Sequence, residues 1–175
     1  TPRVFQAMAA DGLFFEEAKK VAAQYPDIAC DDANIDAICM WLLKNPFAYD
    51  VLVAPNLYGD IISDLCAQMV GGLGFGCSGN IGEKLAVFEP THGSAPKYAG
   101  QYKVNPIATI LADKMMLDWL GEKDKAARLE LAVGEVIKDG RVRTYDMGGK
   151  NSTLEMGKAI AAAVGETKPV GAGRR

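Results

Sequence analysis

The chain has 175 residues, 49% hydrophobic and 23% charged, the composition of a soluble globular protein with one good core or two small ones. Nineteen basic residues against 22 acidic ones leave a net charge of −3, which argues against a nucleic-acid-binding surface. No apolar run reaches the roughly 18–20 residues that cross a bilayer, so no membrane partner is expected.

The first residue is Thr1, without a signal peptide, so the chain reads as a piece of something longer, or as processed. Asp11-Gly12 is a turn signal. Leu13 to Tyr25 then carries Leu13, Phe14, Ala18, Val21, Ala22 and Tyr25 at helical spacing, stopped by Pro26. Ile28-Ala29-Cys30 reads as a short strand. Asp31 to Asn34 is a cap-like polar run before a helix from Ile35 to Leu43, ending near Asn45-Pro46. Asp50 to Ala54 is an apolar, strand-like run closed by Pro55, and Asp60 to Val70 reads as a helix with one buried face. This alternation predicts an α/β fold, with helices covering strands on at least one face.

Asp60 and Asp64 stand one helical turn apart, where like charges roughly 5–6 Å from each other at Cβ repel. A hard divalent cation such as Mg²⁺ or Mn²⁺ would compensate them; two solvated acids on an exposed face are the plainer alternative.

Six glycines between Val70 and Gly82 break the pattern. Gly74 to Gly79 spells G-x-G-x-x-G, but that fingerprint needs a strand before it and a helix after it. Here a helix precedes and the strand-like Lys84 to Phe88 follows, so the glycines are read as sharp turns and close backbone passages at a boundary between two substructures. Glu89 to Asn105 is polar, broken by Pro90 and Pro96, and long enough to be functional. Within it, Thr91 to Tyr98 mixes a histidine, small residues, a cation and an aromatic, a composition suited to an anionic ligand bearing a ring.

Asn105-Pro106 caps a helix through Leu120. Gly121 separates it from Lys123 to Lys138, with Ala127, Leu131, Val133, Val136 and Ile137 inward and Asp139-Gly140 as the stop. Arg141 to Tyr145 is a short basic, β-branched segment. Ser152 and Glu155 have capping-box spacing for a last helix to Val164, and 165–175 reads as a frayed tail. Cys30, Cys39, Cys66 and Cys77 lack metal-site spacing and read as reduced thiols in a cytoplasmic type of compartment, or the mitochondrial matrix in a eukaryote.

Asn56-Leu57-Tyr58-Gly59-Asp60-Ile61-Ile62-Ser63-Asp64, Ser78-Gly79-Asn80-Ile81-Gly82 and Phe88 to Gly100 together resemble the β-decarboxylating dehydrogenase family, the isocitrate and isopropylmalate dehydrogenases. Asp11 to Phe14 and Val104-Asn105-Pro106 agree in order and spacing, so the resemblance covers about residues 11 to 165. Among its members, the chain resembles the NADP-dependent isocitrate dehydrogenases. The resemblance implies the C-terminal half of that fold: residues 1–70 from the small α/β domain of dimer and metal site, 71–175 from the returning part of the large cofactor-binding domain.

It further implies a homodimer and a Mg²⁺ or Mn²⁺ site made by Asp60 and Asp64, with Asp36 presented to the partner subunit's site. Cofactor contacts are implied at Glu89, His92, Gly93, Ala95, Lys97, Tyr98, Asn105 and Tyr145. Lys97 and Tyr98 are similar to the residues that NADP users set at the ribose 2′-phosphate, where NAD users carry an acid and an aliphatic residue. Tyr145 also matches NADP users, but their following arginine is replaced by Met147-Gly148-Gly149, with Lys150 as the nearest cation. The family's substrate arginines and catalytic tyrosine lie upstream of Thr1, and its catalytic lysine has no counterpart near Thr1 to Arg3, so no catalytic residue is assigned within the chain. Isopropylmalate, homoisocitrate or tartrate oxidation, or a non-catalytic subunit, are the alternatives.

Overall fold

The computed structural model describes residues 3–8 as backbone and residues 12–167 in full. The turn at Asp11, the start at Thr1 and the tail beyond residue 167 lie outside the described residues. The chain divides into two compact units, Thr1–Met69 and Val70–Arg175.

In the first unit, β1 (Arg3–Met8) is the middle of a three-stranded parallel sheet, flanked by β2 (Ala29–Asn34) and β3 (Val51–Val53). Helix α1 (Gly12–Ala22) connects β1 to β2, and α2 (Ile35–Lys44) with the single turn Pro46–Ala48 connects β2 to β3. Such parallel strands require crossovers, which is why strands and helices alternate here. The α/β class inferred from the sequence is the observed one.

Two local readings are corrected. Residues 31–34 form the second half of β2, in register with Phe5 to Met8, and Asn34 makes no side-chain capping bond. An edge strand tolerates polar residues on its solvent side, which hides it from a search for apolar runs. Helix α3 (Asn56–Met69) begins four residues earlier than the apolar spacing implied, with the Gly59 N–H bonded to the Pro55 carbonyl at 2.8 Å. Ile38, Leu42 and Ile62, packed by Leu52, Tyr58 and Leu65, form the core of this unit.

In the second unit, β4 (Cys77–Ile81) pairs antiparallel with β5 (Ala86–Pro90). The sequence reading took residues 77–81 as turn; Gly79 instead sits mid-strand, where a Cβ would lie 3.1 Å from the Phe88 ring. Its lack of a side chain lets β4 pass that ring closely. The G-x-G-x-x-G stretch therefore ends in a strand, with no helix after it.

Helix α4 (Ile107–Trp119) packs on the hairpin and on α5 (Lys123–Asp139), and α5 packs on α6 (Thr153–Glu166). On α5 the inward residues are Ala126, Ala132, Val133 and Val136, whereas Leu131 is exposed, one position away from the expected stripe. Gly140 stops α5 at φ 67°. Arg141 to Tyr145 is not a strand: Arg143 exchanges bonds with Asn151, and a single turn, Tyr145–Met147, follows.

The Ser152–Glu155 capping box is complete, and the N–H and hydroxyl of Ser152 hold the Glu155 carboxyl below its usual range. Met156 is fully buried among Ile107, Val133, Val136 and Ile160. Met156→Ala removes buried methylenes and leaves a cavity, so it lowers the unfolding free energy by about 2–5 kcal/mol in chemical denaturation.

Candidate functional site

The long segment after β5 is anchored first at Thr91, whose N–H and hydroxyl both donate to the Gly76 carbonyl, at 3.0 and 3.1 Å. His92 turns its Nδ1 to the Gly93 carbonyl at 2.9 Å, so it donates locally. Ala95 adopts the left-handed conformation, φ 43°, and opens the single turn Pro96–Tyr98. Tyr102 is left-handed too, φ 50°. Such conformations cost a non-glycine residue about 1 kcal/mol or more and persist where surrounding bonds fix them.

Those bonds are present. Gln101 Nε2 donates to the Lys97 carbonyl at 2.6 Å, and the Thr153 N–H donates to the Tyr102 carbonyl at 2.7 Å. The Thr153 hydroxyl also donates to the Val104 carbonyl.

This backbone brings residues distant in sequence together. The Tyr98 and Tyr145 rings lie 6.0 Å apart, tilted by 43°. Lys97 Nζ stands 4.8 Å from the Tyr98 ring, and Lys103 Nζ stands 5.1 Å from Tyr98 and 4.9 Å from Tyr145. Among the described residues, neither lysine forms a salt bridge with a carboxylate. The Lys97 ammonium, hydrogen-bonded to the Tyr98 phenol, holds that phenol below the usual tyrosine range, and Lys103 adds to the effect. Tyr145 shifts upward through desolvation and the neighbouring Tyr98. A cavity of about 300 Å³ adjoins the cluster, lined by Tyr102, Lys103, Tyr145 and Lys150 among others. Unpaired ammoniums beside phenolic donors suit an anion with several acceptor oxygens.

Asn105, one of the implied cofactor contacts, also has a structural part. It is buried, its Nδ2 donates to Asp146 Oδ2 at 3.0 Å, and its Oδ1 accepts from the Ile107 N–H at 3.0 Å. Thr144 Oγ1 donates to Asp146 Oδ1 at 2.5 Å. Gly74 backs onto this network: a Cβ there would meet Asp146 Oδ2 at 2.6 Å. The side chain of Asn105 thus ties the start of α4 to the turn that carries Tyr145. Glu89 is exposed on β5 and accepts from Asn80 at 3.2 Å. Sequence reasoning missed Lys103, which no motif marks, and the Asn105–Asp146–Thr144 network.

In the first unit, Asp60 and Asp64 share the exposed face of α3. Asp60 Oδ2 accepts a hydrogen bond from Asn56 at 3.3 Å. Asp36 lies in the first turn of α2, exposed, with Oδ1 accepting from the Ala37 N–H at 2.8 Å. Among the described residues, no three His, Cys, Asp or Glu side chains gather, so one chain offers Asp60 and Asp64 but not Asp36 with them. Two carboxylates of hard oxygen leave most octahedral positions open to water and a chelating ligand, a donor set that fits Mg²⁺ or Mn²⁺. A cavity of about 510 Å³ in this unit, lined by Phe14, Ala18, Val21 and Tyr25 among others, is apolar and includes none of these acids.

A family model described as isocitrate/isopropylmalate dehydrogenase matches residues 5–160. A Caenorhabditis elegans protein named probable isocitrate dehydrogenase [NAD] subunit alpha, mitochondrial, is 49% identical over 88% of this chain and 43% of its own length. The 3-isopropylmalate dehydrogenase of Archaeoglobus fulgidus is 46% identical over 86% of this chain and 46% of its own. The crystal structure of isocitrate dehydrogenase from Methylococcus capsulatus superposes with a TM-score of 0.86 at 44% identity, covering 93% of this chain and 50% of that one. The chain thus spans half or less of the length of these relatives.

Proposed function

We propose, from the premise that this chain belongs to the isocitrate/isopropylmalate dehydrogenase family, that it is the C-terminal half of a metal-dependent isocitrate dehydrogenase using NADP. The reaction is oxidation of isocitrate to oxalosuccinate and decarboxylation to 2-oxoglutarate. The observation that carries the cofactor choice is the cluster of Lys97, Tyr98 and Tyr145. Ammoniums that pair with no carboxylate among the described residues, with phenols beside them, bind a 2′-phosphate, whereas an acid in their place would bind a bare ribose diol and repel the phosphate. Relatives named for NAD belong to the same family, and this cluster is the feature that favours NADP in this chain.

Asp60 and Asp64 would hold the divalent ion, with Asp36 of the partner subunit completing the site. When bound, that ion polarises the substrate hydroxyl and carbonyl oxygens. The carboxylates of α3 orient it. The segment from Glu89 to Tyr98, braced through Thr91 and Thr153, positions the adenosine end of the nucleotide; His92 and Gly93 stand where it would pass.

The assembly is a homodimer. Its support is the first unit's uncovered apolar side chains: Phe47 is 97% exposed, and Met40, Trp41, Leu43, Leu57 and Ile61 are also exposed. A patch of this kind marks a protein interface. The residue ranges 1–70 and 71–175 then belong to the small domain and the large domain of the whole enzyme. Four free thiols favour a reducing compartment, the cytoplasm or the mitochondrial matrix.

A second reading has one specific support, the 46% identity to a 3-isopropylmalate dehydrogenase. Initial rates of the complete enzyme with isocitrate and with 3-isopropylmalate, each with NADP and NAD, separate the two. The highest kcat/KM is expected for isocitrate with NADP. Faster turnover of 3-isopropylmalate would replace the substrate, and a preference for NAD would refute the cofactor.

A further inference from the structure

Lys103 belongs to no motif, yet among the described residues it is the one lysine that stands over both tyrosine rings, 5.1 Å from Tyr98 and 4.9 Å from Tyr145. Its place is built by the backbone. Tyr102 before it is left-handed, and the carbonyls of Tyr102 and Val104, on either side, are both held by Thr153 at the first turn of α6. An exposed lysine ordinarily samples many rotamers and finds a carboxylate. This one has its main chain fixed on both sides, no paired acid among the described residues, and two aromatic faces to rest on.

The position has a chemical consequence. Residues 147–149, Met-Gly-Gly, supply no charge on the Tyr145 side of the cluster. Lys150 lines the adjoining cavity but makes no ring contact. Lys97 makes a ring contact with Tyr98 and acts on Tyr145 through its charge, whereas the Lys103 ammonium lies within 5.1 Å of both ring centroids. Its charge is also felt at the Tyr98 phenol, where it acts with Lys97 to lower the proton affinity.

We infer that Lys103 is a specificity-determining cation for the ribose 2′-phosphate, supplying from the loop the positive charge that residues 147–149 lack. This rests on the NADP reading above. Two ammoniums beside a tyrosine pair neutralise most of a phosphate's charge, and two phenols offer hydrogen bonds to its remaining oxygens.

The test is calorimetric binding to the complete enzyme of 2′,5′-ADP, which carries the 2′-phosphate, and of 5′-AMP, which lacks it. Lys103→Gln is expected to weaken 2′,5′-ADP by about tenfold or more, the loss of one charge-assisted hydrogen bond, and to leave 5′-AMP within about twofold. Lys103→Arg keeps most of the affinity, and Lys150→Gln changes it by less than about threefold. Equal weakening of both nucleotides would mark Lys103 as a structural residue and overturn the inference. So would an unchanged 2′,5′-ADP affinity in Lys103→Gln, or a loss carried by Lys150→Gln, while the unaltered enzyme still prefers 2′,5′-ADP. An unaltered enzyme that binds 5′-AMP as well as 2′,5′-ADP would instead refute the NADP reading itself.

Discussion

Asp60→Asn in the complete enzyme is expected to abolish Mn²⁺-dependent turnover while the protein stays folded. Asp60 is exposed on α3, and its described side-chain bond is a long one from Asn56, 3.3 Å. Its replacement by an amide keeps the helix and relieves repulsion with Asp64, one turn away. On the proposed metal assignment, it would remove one of the two carboxylates that hold the ion. A metal that polarises a carbonyl contributes several kcal/mol at the transition state, so kcat/KM falls by about a thousandfold or more. Two measurements separate metal binding from folding: Mn²⁺ raises the Tm of the unaltered enzyme and not of the variant, and the variant's metal-free Tm stays within a few degrees. Full activity in the variant would sink the metal assignment.

The second large effect is expected from Lys97→Asp combined with Tyr98→Ile. The double change removes one ammonium and one phenol from the cluster and adds a carboxylate facing the 2′ position. The phosphate of NADP then meets a like charge, while the bare diol of NAD gains an acceptor. Two lost charge-assisted interactions of about 1.5–3 kcal/mol each shift the NADP/NAD ratio of kcat/KM by about a hundredfold or more. Lys97 is exposed and Tyr98 only half-buried, so the fold tolerates both changes. A ratio that does not move would show that the 2′-phosphate is held elsewhere.

The candidate sites were legible to different depths. The spacing of Asp60 and Asp64 was visible directly, although spacing alone could not separate a metal pair from two solvated acids. Tyr98 and Tyr145 were marked through the family resemblance, and folding sets their rings 6.0 Å apart. Lys103 was invisible, because the loop has no period and the lysine's direction depends on a left-handed Tyr102 and on Thr153, far along the chain. Asn105 was seen as a helix-starting residue and a base contact. Its amide also meets Asp146, a partner that only folding supplies.

The same division runs through the fold. The sequence by itself determined the capping box at Ser152 and Glu155, the glycine stop at Gly140, the helices α2, α5 and α6, and the rejection of the dinucleotide fingerprint. All of these depend on residues within about one helical turn of each other or on the order of adjacent segments. The tertiary structure decided the strands β1, the polar half of β2 and β4, none of which shows a strand's alternation. It also decided the rotation of the buried stripe on α5 and the meeting of two lysines with two tyrosines. A strand is completed by hydrogen bonds to a neighbour remote in the chain, and an anion site by side chains that converge from separate loops. Neither has a short-range signature to read.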